Sequence, residues 1–251
     1  MDKNTSADQR EQKILPPTAL RVARRMLVLG CVLERGWIES AAIGSDGSAP
    51  DLAYAELQCG KLLRWMTTLD LEGEFEPQEK DVVLAPAGAL SEQQVVDATW
   101  RAEGIGVLAW AVQRFDLPPY DEFVDLSLLA EAMQFLKPGA AQLLTAPGLR
   151  SCEELEQMRR SILALHWRLV DFRIRPHSMD FATFVCTAWF GPLTLEGLRL
   201  QKGDLALYEY SIAQAPPELY DCCASIAVER HTAINWLCGT AELYSDVTTD
   251  T

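Results

Sequence analysis

Histidine is scarce in this chain. There are three among 251 residues, so imidazole chemistry can sit only at His166, His177 or His231. Several familiar signatures are missing outright. There is no G-x-S-x-G nucleophile turn, no phosphate-cradling glycine loop and no dinucleotide-binding glycine pattern. C-x-x-C and H-E-x-x-H are absent too, and neither the cysteines nor the histidines are spaced as a zinc ligand set. No metal and no cofactor is therefore expected. Positive charge is also in short supply, with 22 Lys and Arg against 36 Asp and Glu and a formal charge of −14. Such a field disfavours non-specific contact with nucleic acid or an anionic membrane, so neither is expected as a partner. No apolar run approaches the length of a membrane span. "RRMLVLGC" superficially suggests lipoprotein processing, but its apolar part is short, late and followed at once by charge, which argues against a signal peptide. The expected location is cytoplasmic.

What is present suits a folded protein. Apolar residues make up 49% and charged residues 23%, enough to bury a core without covalent staples. The seven cysteines are odd in number and lack a regular spacing, which fits reduced thiols better than a disulfide framework. Cys222 and Cys223 are adjacent, and vicinal cysteines bridge only with strain.

Hydrophobic periodicity predicts a mainly α, multi-helix globular domain with a small β-hairpin near residues 195–212. Residues 1–15 are expected to form a disordered tail. Residues 16–251 are expected to form a single mostly helical domain, with 16–72 as an alternative N-terminal helical subdomain. The first helix, from Thr18, places Leu20, Ala23, Leu27, Gly30 and Cys31 on one face and Arg21, Arg24 and Arg25 elsewhere, and stops before "GSDGSAP". A second helix spans about 51–69, with Leu52, Leu57, Leu62, Leu63 and Met66 as core candidates. "LEGEFEPQEKD" reads as an acidic, solvent-facing stretch.

Ser91 and Gln94 form a capping box opening a helix that should run to about Phe115, before Pro118–Pro119. Gly104 and Gly106 interrupt it, and close approach of another helix would explain them. A shorter helix covers 123–136. Another, about 151–171, starts at an N-cap serine and buries Leu155, Met158, Ile162, Leu165, Leu169 and Phe172. "QKGD" reads as the turn of the hairpin. The last helix covers about 217–238, with Gly239 at its C-terminal stop.

Three segments carry candidate chemistry. In "WRAEG", Glu103 lies beside Trp100, Val107 and Trp110 on a helix; it is either a carboxylate with a raised pKa, suited to acid–base work, or half of a buried ion pair. In "LHWRLVDFRIRPH", His166 sits at the edge of an apolar stripe, and Arg168, Arg173 and Arg175 form a basic group able to hold a carboxylate or phosphate. In "ERHTAINWL", His231 and Asn235 are four apart and can face a common partner. Glu229 and Arg230 point to different sides, so the three adjacent polar residues cannot form one compact catalytic unit from that helix alone. The catalytic candidates are thus Glu103, His166 and His231.

"WRAEGIGVLAWA", "LPPYDE", "LRSCEELEQMRRSILALHWRL", "GDLAL", "ERHTAINWL" and "SDVTTDT", as an ordered set, resemble the bacterial domain of unknown function 4272. The resemblance implies intracellular, mostly helical proteins and brings no established activity or catalytic residues. Its characteristic positions here include Trp100, Arg101, Glu103, His166, Trp167 and Arg168, then Glu229, Arg230, Asn235 and Trp236, with Asp250–Thr251 closing the chain. From these, Trp100, Arg101, Arg168, Glu229, Arg230, Asn235 and Trp236 are the candidate binding residues. The acidic tail is either loose or docked on core arginines. The leading expectation is a non-enzymatic module, monomer or homodimer, binding a protein partner or a small ligand. The alternatives are a hydrolase-like enzyme using Glu103, His166 or His231 in an interhelical cleft, or an acidic immunity-like protein that neutralises a basic partner.

Overall fold

A computed structural model describes residues 14–43, 51–191 and 193–250. The expected tail at 1–15 therefore lies almost wholly outside the described residues. Among those described, nine α-helices run in order: α1 (Ala19–Ile43), α2 (Leu52–Thr68), α3 (Pro77–Leu84), α4 (Glu92–Ala111), α5 (Leu126–Ala132), α6 (Ala140–Thr145), α7 (Cys152–Ile174), α8 (Phe181–Thr187) and α9 (Pro217–Leu237). Three short strands lie between α8 and α9: β1 (Leu200–Gln201), β2 (Asp204–Leu207) and β3 (Tyr210–Ser211). They pair antiparallel in the order β1-β2-β3, with Leu200 opposite Leu205 and Leu207 opposite Tyr210. The fold is thus mainly α with a small sheet, and the hairpin at "QKGD" closes through Lys202 and Gly203 at φ 55° and 83°. Glycine supplies the second left-handed residue at little steric cost.

The helix starts follow local rules. Ser91 and Gln94 exchange side-chain and backbone hydrogen bonds at the head of α4, and Ser151 and Glu154 do the same for α7. Gly239 ends α9 at φ 77°, where an added Cβ would lie 2.8 Å from the backbone nitrogen of Pro16. α4 stops at Ala111 rather than near Phe115, because Gln113 turns left-handed at φ 61° and Arg114 N–H closes onto the carbonyl of Ala109.

α1 is the central element, packed chiefly on α4 and also on α2 and α3. This corrects its expected one-sided pattern. Ala23, Leu27, Gly30 and Cys31 are buried as expected, but Val22, Met26, Val28 and Leu29 are fully buried too, whereas Leu20 is exposed. Arg25 is buried as well, and its guanidinium bonds Glu76 and Glu79 at 2.7 Å each. The stretch "LEGEFEPQEKD" is therefore not a solvated acidic run. Glu76 caps α3, ties Arg25 inward and accepts the Tyr244 and Ser245 N–H groups at 2.6 and 2.9 Å. In α2, Leu62 and Met66 are core and Leu52 and Leu57 are exposed, since Ala55 takes the inner face of the first turn.

One apolar cluster joins residues from α1 to the segment after α9, among them Met26, Ile105, Trp236 and Tyr244. A second gathers the sheet against α7, α8 and α9 through Leu165, Phe181, Leu205 and Ala227. α4, α7 and α9 meet between these clusters, with α9 packed against both partners. No helix among the described residues is long and apolar enough to cross a membrane.

Candidate functional site

The three adjacent polar residues of α9 each reach a different partner. Glu229 meets Arg101 of α4, whose Nη1 donates to both carboxylate oxygens at 3.2 and 3.3 Å. Arg230 meets Glu103 of the same helix, donating from Nε at 3.0 Å and Nη2 at 2.8 Å. The two pairs are reciprocal: α4 offers Arg then Glu, α9 offers Glu then Arg. His231 turns to α7 and approaches His166, Nδ1 to Nδ1, at 2.8 Å.

The Glu103–Arg230 pair is buried and fully engaged. Arg230 also donates to the carbonyls of Pro118, Pro119 and Glu122, at 3.0, 3.0 and 2.8 Å. The second oxygen of Glu103 accepts the N–H of Val124 at 3.0 Å. A paired and hydrogen-bonded buried charge is the arrangement that tolerates desolvation. Glu103 thereby resolves into half of an ion pair that clamps the Pro118–Val124 loop between α4 and α9, and it does not join the histidines.

Gly104, its neighbour, lets Tyr244 in: an added Cβ would stand 2.5 Å from the Tyr244 hydroxyl and 3.6 Å from the Glu229 carbonyl. Close approach explains this glycine, with α9 as only the second neighbour. Gly106 is explained otherwise, because its nearest neighbours are side chains of the loop residues Val124 and Leu117.

His166 and His231 are 5% and 2% exposed. Burial pulls the His166 pKa down to about 4, and the nearby positive charge of Arg173 adds to the effect. Burial likewise lowers His231 to about 3, followed by His166 and Arg159. Both rings are neutral at pH 7, so one Nδ1 carries the shared proton and donates it to the other. Asn235 does not share this partner. Its Nδ2 donates to the carbonyl of Thr248 at 3.2 Å, and Trp236 lies buried under Tyr244. The segment after α9 is docked by Glu242, which pairs with Arg21 at 2.9 Å, and by backbone groups of Tyr244, Ser245 and Thr248; among the described residues no arginine pairs with Asp246 or Asp250, the tail's own carboxylates.

His166 also borders a cavity of about 260 Å³ at the junction of α4, α7 and α9. Trp100, Arg101, Arg173, Tyr220 and Glu229 line it, with Leu169, Ala224 and Val228 supplying apolar wall. Burial pushes the Glu229 carboxyl above its ordinary pKa, Arg101 opposes this, and Asp97 and Glu103 add to the rise. Four candidates, Trp100, Arg101, His166 and Glu229, thus share one concavity. Glu103, His231, Asn235 and Trp236 stand behind its wall or away from it. Arg168 is also elsewhere: fully buried, it grips Asp204 at 2.7 Å through two nitrogens and Asp171 at 3.0 Å, joining α7 to β2. The basic group expected at 168–175 is therefore divided. Arg175 pairs with Asp171, and only Arg173 reaches the cavity.

Tyr220 was not among the sequence candidates. Its signal was the row Tyr220, Ala224 and Val228, one helical face of α9 ending beside Glu229.

A larger cavity, about 450 Å³, opens nearer the start of α7 between Trp110, Pro118, Met158, Leu165, Leu198 and Arg230. Arg230 is wholly committed to Glu103 and carbonyls, and Ser161 donates to the carbonyl of Glu196. Its size favours ligand binding, and Arg199, held to Asp121 through Nη2, is its one lining cation with N–H groups to spare, whereas the smaller cavity has two such arginines and a histidine.

The seven cysteines are free thiols, and burial pushes Cys223 up to about 12. Among the described residues, no group of three or more His, Cys, Asp and Glu is placed to hold a metal ion.

The sequence pattern of the domain of unknown function DUF4272 matches residues 4–183. The chain belongs to that family. Trp100, Arg101, Glu103, His166 and Arg168 fall within the matched residues of this DUF4272 protein, whereas their α9 partners, Glu229, Arg230 and His231, lie beyond them. No curated protein and no solved structure matches the chain.

Proposed function

We propose that this DUF4272 protein is a non-enzymatic small-ligand-binding module whose site is the cavity between α4, α7 and α9. The observation that carries the reading is the convergence of Trp100, Arg101, His166 and Glu229 on one concave surface. A flat aromatic wall, aliphatic floor and a few directed polar groups are the usual make-up of a small-molecule site. Residues 16–251 act as one functional unit in this proposal, supported by the apolar cluster that runs from α1 past α9. Against hydrolysis stands the chemistry of the candidates. Glu103 is spent on Arg230, and a histidine pair held neutral by burial is far from the near-neutral pKa that suits a general base.

The test is a thermal-shift screen of small polar metabolites against the wild type and Val228→Trp. Val228 is partly exposed at the cavity wall, so the larger ring fills the site from outside the core. A ligand at 100 times its Kd adds about 2.7 kcal/mol, which shifts Tm by about 5–10 °C in a domain of this size. Hits that stabilise the wild type and spare Val228→Trp support the reading. Equal shifts in both proteins would place binding elsewhere, and turnover of a nitrophenyl ester abolished by His166→Gln would replace the reading with an enzymatic one.

A further inference from the structure

The polar groups around the α4–α7–α9 cavity are not equally free. Tyr220 donates its hydroxyl to the carbonyl of Leu169 at 2.6 Å, and Ser225 donates to Asp221 at 3.0 Å. Glu229 is held by Arg101, while Asp97 accepts from Gln93 at 2.8 Å and is solvent-exposed. Both hydroxyl hydrogens are thus spent, and each carboxylate already accepts from one donor group. Several guanidinium N–H groups remain unpaired among the described residues. Arg173 comes no closer than 3.9 Å to Asp221, and Arg101 contacts Glu229 through Nη1 alone, leaving Nε and Nη2 without a protein acceptor among the described residues. His166, 5% exposed and bordering the cavity, spends Nδ1 on His231, and its Nε2 has no protein partner among the described residues. When His231 donates the shared proton, Nε2 of His166 carries a hydrogen.

From this imbalance we infer that the cavity takes a small organic anion, a carboxylate or phosphate on a flat apolar body, held by Arg173, Arg101 and Nε2 of His166. The inference rests on the small-ligand reading and specifies its ligand class. Guanidinium groups suit both anions because they offer paired, geometrically fixed N–H donors. Trp100, Leu169 and Val228 give the body its apolar surface. In a protein with a formal charge of −14, the two arginines of the lining match its two carboxylates, Asp97 and Glu229, so the cavity is less acidic than the chain as a whole.

The experiment compares four probes of one shape by ¹⁵N NMR of the imidazole nitrogens and by isothermal titration: phenylacetate, phenyl phosphate, 2-phenylethylamine and 2-phenylethanol. The expected result is binding of at least one anion, with a shift of the His166 Nε2 resonance. Binding should weaken roughly tenfold in Arg173→Gln, the scale of one charge-assisted hydrogen bond. Phenylacetate alone, or phenyl phosphate alone, identifies which anion source the site prefers. Arg173 is largely exposed, so its replacement tests recognition rather than folding. Tight binding of 2-phenylethylamine with neither anion bound overturns the inference but leaves the small-ligand reading standing. Anion binding that is indifferent to Arg173→Gln and leaves the His166 resonance unmoved also overturns it. If none of the four binds, the inference fails, and the metabolite screen alone decides the small-ligand reading.

Discussion

Lowering the pH from 7 to 5 tests the histidine pair directly. In the unfolded chain both imidazoles titrate near 6.5, whereas in the folded protein His166 is lowered to about 4 and His231 to about 3. The unfolded state therefore binds more protons throughout this interval, and stability must fall as pH falls. At pH 5 an unfolded imidazole is almost fully protonated and a folded one almost bare, which costs about 2 kcal/mol per histidine, or about 4 kcal/mol for the pair. That is a large share of the stability of an ordinary domain.

Other groups titrate nearby and must be removed from the comparison. Glu34, Glu74, Glu79 and Glu229 are raised by burial, so they add stability as pH drops and act against the histidines. Urea denaturation of the wild type at pH 7 and 5 is thus compared with a His166→Gln/His231→Gln double variant, in which the carboxylates remain. The expected outcome is a wild-type loss exceeding that of the variant by about 4 kcal/mol. Equal losses in the two proteins would contradict a neutral buried pair, since the rings would then be solvated or already charged. Direct ¹⁵N titration of the wild-type rings reads both pKa values without relying on the variant.

Glu103→Gln should destabilise the protein by about 3–5 kcal/mol in chemical denaturation, because it strands the Arg230 charge among carbonyls; an unchanged midpoint would mean the clamp contributes nothing. Gly104→Ala should cost about 1–3 kcal/mol, as the new methyl lands 2.5 Å from the Tyr244 hydroxyl and must push the docked tail outward. Limited proteolysis of that variant should cut first near Tyr244, and protection equal to the wild type would show the tail relaxing without loss.

Much of the fold is legible in the sequence because its signals are local. Ser91 with Gln94 and Ser151 with Glu154 start α4 and α7, Lys202–Gly203 turns the hairpin, and Gly239 stops α9. α3, α6 and α8 are hard to read because helices of 6 to 8 residues show little periodicity. α1 departs from its one-sided pattern for the opposite reason: a helix enclosed on nearly all sides has no polar face. Of its two buried arginines, Arg35 pairs with Glu39 on the same helix, and Arg25 is made tolerable by Glu76 and Glu79, about fifty positions away.

Residue order alone dictates that Glu229, Arg230 and His231 diverge, because successive helical residues point about 100° apart. It likewise dictates that Glu103 lies among aromatic and aliphatic neighbours on its own helix. Where each group ends up is a matter of how the helices pack. Packing crosses Arg101 and Glu103 with Glu229 and Arg230, sets His166 against His231, withdraws Arg168 to the sheet and leaves Arg173 on the cavity. The cause is physical: charge pairing and desolvation depend on distances between helices, and a helix pattern fixes only directions within one.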